Sequence, residues 1–204
     1  MLFRSPVSAA RPTSVATRGV VISTPEPWAE ALADEAFLPG WRRVPWAAAD
    51  DALVAVDDGP PRFFLHTRPD GPAAALADTP DIDSVRRRNE REAEDLFFVA
   101  DALLFVTSEQ KYADEACVEY LRRAAVFDKP VLAVLNRATA DGAALHDFAG
   151  TKLPAIGLDD LAGVLTLPTL TPEQLAAAIT PGEPAPAPVL LLREQVAGLV
   201  AAGP

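Results

Sequence analysis

Three apolar segments, each followed by polar residues and separated by gaps of helix length, constrain the fold of this 204-residue chain more than any other feature. They are residues 73–78, 102–107 and 130–135. Strands that are buried on both faces of a parallel sheet have this near-continuous apolar character, and helices connect them. The alternation predicts an α/β fold with a mostly parallel sheet, helices on both faces and a C-terminal helix.

The neighbouring segments predict how the chain continues around these strands. Residues 53–77 are expected to form antiparallel or mixed edge strands that feed the central sheet. Residues 108–126 predict an amphipathic helix, and residues 153–156 a short strand. Thr171, followed directly by proline, predicts the capped start of another helix.

The C-terminal part changes in composition. Residues 181–188 are rich in proline and predict a linker, and residues 189–202 predict an apolar helix with no packing partner inside the sequence. No segment reaches the roughly 18 consecutive apolar residues that a membrane-spanning helix needs. We therefore expect a cytoplasmic protein, and membrane contact only through a missing C-terminal region.

The charge balance limits the partners. The chain has 18 basic and 29 acidic residues, a formal net charge of −11. This excess of negative charge argues against nucleic acid or an anionic membrane surface as the main partner. The single cysteine excludes an internal disulfide framework, which suits a reducing compartment.

Polar residues stand at the end of each predicted strand: Asp78 with Thr79, Thr107 with Ser108, and Asn136 with Arg137. In open α/β sheets, ligands bind outside the carboxyl ends of the strands. We therefore expect these residues to share one edge and to form a nucleotide-type site. Asp78 would place a hard anion there, where a metal or a phosphate could sit.

The motifs DTPxxDS, FVTSEQKYAD and VLNR, in this order and spacing, resemble the core of the P-loop GTPases of the Era-like or dynamin-like kind. The resemblance covers roughly residues 10–158. It implies a Ras-like G domain within residues 1–180, followed by the linker and by the start of a C-terminal helical segment at residues 189–204. It also implies GTP or GDP with Mg²⁺ as the bound cofactor, and hydrolysis of GTP to GDP in the full-length protein.

The resemblance assigns roles to individual residues. In the family's DxxG motif, Asp78 would reach Mg²⁺ through water, and Asp81 stands at the glycine beside the γ-phosphate. In the NKxD motif, Asn136 would read guanine and the stem of Arg137 would cover the base. Thr139 stands where the family has the aspartate that accepts the two guanine N–H groups.

The switch I threonine of the family is matched by Thr17, with Thr13 as the second choice, and it would bind Mg²⁺. The phosphate-binding loop GxxxxGKS/T does not occur in the sequence. We therefore expect an N-terminal truncation that removes the first strand of the sheet, weak nucleotide binding and no hydrolysis by this chain alone. No catalytic residue is identified.

Two other functions stay open. Asp81 and Thr139 depart from the family motifs, which is compatible with a pseudo-GTPase that acts as an interaction scaffold. The pair Asp81 and Asp83 resembles the DxD pair of magnesium-dependent phosphohydrolases. Asp78 as a turn residue and Asn136 as an ordinary loop residue are the structural alternatives. The expected partners are a guanine nucleotide and a protein, or a second copy, bound through the switch regions and the C-terminal helix.

Overall fold

A computed structural model describes residues 20–46, 59–68, 73–79, 87–139, 142–158, 163–180 and 182–201. The chain divides into two compact units, Met1–Val99 and Ala100–Pro204, and each has a sheet of its own. The molecule is an α/β protein with a C-terminal helix. Thr13, Thr17, Asp81 and Asp83 lie outside the described residues.

The sheet of the first unit is mixed. Its strands are β1 (Val20–Pro25), β2 (Arg42–Pro45), β3 (Arg62–Arg68) and β4 (Leu76–Asp78), in the order β2-β3-β1-β4. β3 runs parallel to both β1 and β2, whereas β4 runs antiparallel to β1. The mixed strand directions expected between residues 53 and 77 are therefore confirmed where that segment is described. The expected edge position is wrong for β3, which is paired on both sides, and is confirmed for β4.

Among the described residues of this unit, two helices accompany the sheet: α1 (Ala29–Ala33), which follows a 3-10 turn, and α2 (Arg87–Val99). The core contains Val20, Ile22, Phe63 and Leu96, all nearly fully buried. Trp41 packs its ring against Phe63 and donates a hydrogen bond from Nε1 to Asp95 Oδ2 at 2.9 Å. This hydrogen bond connects the residue that precedes β2 with helix α2.

The strand that ends at Asp78 differs from the prediction. A buried parallel strand was expected at residues 73–78, but β4 has three residues, runs antiparallel and lies at the sheet edge. Leu76 and Asp78 are half-buried and Ala77 is exposed. The reason is the alanine content of this segment: alanine has little apolar surface to bury, so an alanine run suits a half-exposed edge strand as well as a central one.

The second unit has a fully parallel sheet, as predicted. Its strands are β5 (Leu103–Ser108), β6 (Val131–Asn136) and β7 (Gly163–Leu167), in that order. Residues 131–135 of β6 are all buried because β6 is paired on both sides. The apolar runs of β5 and β6 were correctly predicted as strands.

Helices and turns connect these strands: α3 (Glu115–Val126), α4 (Ala143–Asp147), a π-helical turn (Phe148–Lys152), α5 (Leu153–Ala155), α6 (Pro172–Ile179) and α7 (Ala187–Ala201). The strand predicted at residues 153–156 is wrong. Pro154 lies in the first turn of α5, where the proline ring is compatible with a helix and its missing N–H is not needed. The capped helix is confirmed, since Thr171 and Gln174 form a reciprocal capping box at the start of α6.

The C-terminal helix has a partner inside the chain. Val189, Leu192 and Val196 are buried, and α7 packs against β7 and β6. The prediction that this helix lacks an internal partner is therefore wrong, because only one stripe of its apolar residues is needed for packing and the others, such as Leu191, stay exposed. None of the helices in the described part of the chain is long and apolar enough to cross a membrane.

Candidate functional site

The carboxyl ends of β5, β6 and β7 form one edge of the second sheet. Ser108 at the end of β5 pairs in register with Asn136 at the end of β6, and Asn136 pairs with Leu167 at the end of β7. The prediction that the polar ends of these strands share an edge is confirmed for Ser108 and Asn136. Thr107 is buried beside them, and its Oγ1 has no hydrogen-bond partner among the described residues.

Asp78 does not belong to this row of strand ends. It ends β4 in the mixed sheet of the first unit, so the prediction that the strands ending at Asp78 and Asn136 belong to one sheet is wrong. The strands that end at Asp78 and Ser108 also pair separately, because β4 pairs with β1 in one sheet and β5 pairs with β6 in the other. Alternation of strands and helices identifies the strands but not which of them pair.

A tight turn follows β5. The carbonyl of Ser108 accepts hydrogen bonds from the backbone N–H of Lys111 at 3.0 Å and of Tyr112 at 2.9 Å. Helix α3 then begins only at Glu115, and not at Ser108 as predicted. The turn competes with the helix because it satisfies these backbone groups in another geometry. As a result, Glu109 and Tyr112 lie on a loop at the sheet edge.

The loop after β6 is fixed by the Asn136 side chain. Its Oδ1 accepts a hydrogen bond from the backbone N–H of Arg137 at 2.9 Å, and the N–H of Ala138 donates to the carbonyl of Leu167 at 3.2 Å. Arg137 has a φ of 57°, in the left-handed region that costs a non-glycine residue about 1 kcal/mol or more. The bond to Oδ1 orients the amide, so that Nδ2 is its donating end, and no described residue accepts a hydrogen bond from it.

The two loops meet through Thr139 and Glu109. Glu109 Oε1 accepts hydrogen bonds from the backbone N–H of Thr139 at 2.6 Å and from its hydroxyl at 2.8 Å. Sequence reasoning missed Glu109. The signal that could have found it is the register, because Ser108 and Asn136 are paired and the residues that follow each of them must lie on neighbouring loops.

An open groove of about 510 Å³ lies at these loops. It is lined by Glu109, Gln110, Tyr112, Thr139 and Asp147, together with two alanines at the start of α4. Carboxylates, an amide and hydroxyls provide its polar groups, and none of these lining residues is basic. Such a lining favours a ligand that donates hydrogen bonds over a phosphate group.

Tyr112 connects the β5–α3 loop to helix α4. Its hydroxyl donates to Asp147 Oδ2 at 2.8 Å, and its ring packs edge-on against the buried ring of Phe148, with 5.5 Å between the centroids. The hydrogen bond to Asp147 raises the pKa of the Tyr112 hydroxyl, and the loss of hydration and the charges of Asp147 and Glu109 act in the same direction. Tyr112 therefore stays a hydrogen-bond donor well above neutral pH.

Mg²⁺ is usually held by one or two carboxylates together with substrate phosphates, and not by a dedicated protein cage. In the described ranges, no group of three or more His, Cys, Asp or Glu side chains could hold a metal ion. The half-buried Asp78 offers an oxygen donor of the type that Mg²⁺ prefers.

Comparisons with family models, with curated proteins and with solved structures found no match to this chain. The functional interpretation therefore rests on the residues themselves. Those that the structure brings together are Ser108, Glu109, Tyr112, Asn136 and Thr139, at the carboxyl edge of the second sheet.

Proposed function

We propose that this chain contains the guanine-binding part of a GTPase, which hydrolyses GTP to GDP with Mg²⁺. One observation carries the proposal: Asn136 stands at the carboxyl end of the central strand of a parallel sheet, three residues before Thr139, which lines an open groove. This edge is where open α/β sheets bind nucleotides. The finer assignment, a Ras-like G domain, rests on the resemblance of the motifs.

Asn136 would bind the base through its amide. The Nδ2 group is oriented as a donor by the bond between Oδ1 and the Arg137 N–H, and N7 and O6 of guanine are acceptors. The exposed Arg137 would cover one face of the base with its aliphatic stem. Guanine in the groove would then lie among hydrogen-bond acceptors that match its N–H groups.

The metal and phosphate part of the proposal comes from the motifs alone. The resemblance assigns Mg²⁺ to Asp78 and Thr17 and the γ-phosphate contact to Asp81. When bound, Mg²⁺ neutralises charge on the phosphates. Because the sequence contains no GxxxxGKS/T loop, most of the usual phosphate contacts are missing, and we expect this chain to bind nucleotides weakly and to hydrolyse them little or not at all.

Nucleotide titrations followed by NMR test the proposal, since this method detects weak binding. GTP and GDP, each with Mg²⁺, should shift the backbone amides of residues 108–112 and 136–139, and ATP should shift them less. Asn136→Ala should abolish the shifts, whereas Lys152→Ala, an exposed change outside the groove, should leave them intact. No response to any nucleotide would contradict the proposal.

A pseudo-GTPase scaffold is the second candidate. It is favoured by Thr139, which replaces the family's guanine-binding aspartate and donates a hydrogen bond from its hydroxyl to Glu109. On this hypothesis the edge of the second sheet would serve a protein partner and would not bind nucleotides. The same titrations separate the two functions. A scaffold should show no amide shifts at the nucleotide concentrations at which a GTPase site would.

A further inference from the structure

We infer that Glu109 supplies the carboxylate that accepts the two N–H groups of guanine, in place of an aspartate at position 139. The inference rests on the proposed function and names a specificity-determining residue for that site. Glu109 comes from the loop after β5, whereas Asn136 and Thr139 come from the loop after β6. Two loops would therefore read one base.

The position of the Glu109 carboxylate is the first argument. Thr139 lies three residues after Asn136, where the family motif places its acceptor, but threonine has no carboxylate. The Thr139 hydroxyl and backbone N–H instead hold Glu109 Oε1 at 2.8 Å and 2.6 Å. A carboxylate thus lies within one hydrogen-bond length of the residue that lacks one.

The remaining capacity of this carboxylate is the second argument. An ionised carboxylate offers about four acceptor positions on its two oxygens. Both bonds from Thr139 fall on Oε1, and no residue in the described ranges donates a hydrogen bond to Oε2. Glu109 can therefore accept further N–H groups without losing the bonds that hold it in place.

The chemistry of the groove is the third argument. Among the described residues that line it, Glu109 and Asp147 carry ionisable carboxyl groups and none is a lysine or arginine. Guanine presents two adjacent N–H donors on N1 and N2, which fit a carboxylate. Adenine presents an acceptor at N1 on the same edge, so N1 would face the carboxylate with like polarity and could not donate a hydrogen bond to it. The groove is thus built to prefer guanine over adenine.

The test compares GDP, ADP and xanthosine diphosphate, each with Mg²⁺, as ligands of the 204-residue chain in NMR titrations. Xanthine carries a carbonyl at C2 where guanine carries an amino group. Glu109→Gln replaces a charged acceptor by an amide, so we expect GDP binding to weaken by roughly 10- to 100-fold and the preference to move toward the xanthine nucleotide. Glu115→Gln, the same change on the exposed first turn of α3, is the matched control and should bind like the unmodified chain.

A rescue variant separates a role in recognition from a role in folding. Thr139→Asp in the Glu109→Gln background places a carboxylate back on the β6 loop and should restore the preference for GDP over ADP. If Asn136→Ala abolishes GDP binding while Glu109→Gln binds GDP like the unmodified chain, the role of Glu109 is overturned and the proposed function stands. If the unmodified chain binds no guanine nucleotide, both are overturned.

Discussion

His66 is a residue whose environment disfavours its charged form. Its ring packs against that of Trp46 with 4.6 Å between centroids, and its Nδ1 lies 3.4 Å from the hydroxyl oxygen of Ser23 on the neighbouring strand. Burial lowers the pKa of the His66 imidazole, and the positive charge of Arg68 lowers it further. The folded chain therefore favours the neutral form of His66 more than the unfolded chain does.

This pKa shift predicts a loss of stability in mild acid. The unfolded chain takes up the His66 proton near the ordinary pKa of about 6.5, whereas the folded chain takes it up only at lower pH, so the free energy of unfolding should fall as the pH drops below that value. His66→Gln should reduce the difference between the unfolding temperatures at about pH 7.5 and about pH 5.5. His146→Gln, at an exposed histidine of α4, is the control. Equal pH dependence in the His66 variant and the unmodified chain would contradict this account.

Asn136 and Glu109 show what could be predicted at the level of single residues. Asn136 was identified from the sequence because it ends an apolar run, and the end of a buried strand is a local feature. Glu109 was missed because its role depends on a partner 30 positions away, Thr139, which it meets only through strand pairing. A residue that acts across two loops has no local pattern.

Helix α7 is held by one stripe of side chains. Leu192 is 3% exposed and lies between Val189 and Val196 on the buried face, whereas its neighbour Leu191 is 45% exposed. The two leucines are chemically identical and adjacent in the chain, and they differ only in burial. They form a matched pair for measuring what the packing of α7 contributes.

Leu192→Ala should lower the free energy of unfolding by about 2–5 kcal/mol, because it removes buried apolar surface and leaves a cavity. Leu191→Ala should change it by about 0.5 kcal/mol or less, since exposed substitutions have small effects. Denaturant unfolding monitored by circular dichroism measures both. Equal losses in the two variants would show that α7 does not pack through the Val189, Leu192 and Val196 stripe.

The strands were predictable to different degrees, for a physical reason. β6 is paired on both sides and buries five consecutive residues, so its sequence is a continuous apolar run. β4 is a three-residue edge strand, Leu76–Asp78, at the end of an alanine-rich run, and this sequence does not distinguish it from a central strand. β7, which has no fully buried residue, was not predicted at all.

At the scale of the whole molecule, each unit has its own sheet and its own buried side chains. In the second unit, residues 131–135 of β6 lie between β5 and β7, and α7 packs against β6 and β7. Lys129 also donates a hydrogen bond to the carbonyl of Ala100, at the start of this unit. These contacts lie within residues 100–204 and do not need the preceding part of the chain.

We therefore expect residues 100–204 to fold when produced alone. The expected result is a well-dispersed amide NMR spectrum in which residues 131–135 are the most protected from hydrogen exchange, because they form the centre of the sheet. Leu121→Asp, which places a charge at a buried position of α3, should abolish this spectrum and serves as the negative control. A poorly dispersed amide spectrum for the unmodified segment would contradict the prediction.

The pairing of Thr139 with Glu109 also bears on the entropy of binding. An exposed glutamate normally samples many rotamers, and immobilising such a side chain on binding costs about 0.5–1.5 kcal/mol. The two hydrogen bonds from Thr139 already hold Glu109 in one arrangement without any ligand. The acceptor is thus preorganised, and a base that enters the groove would not have to order it.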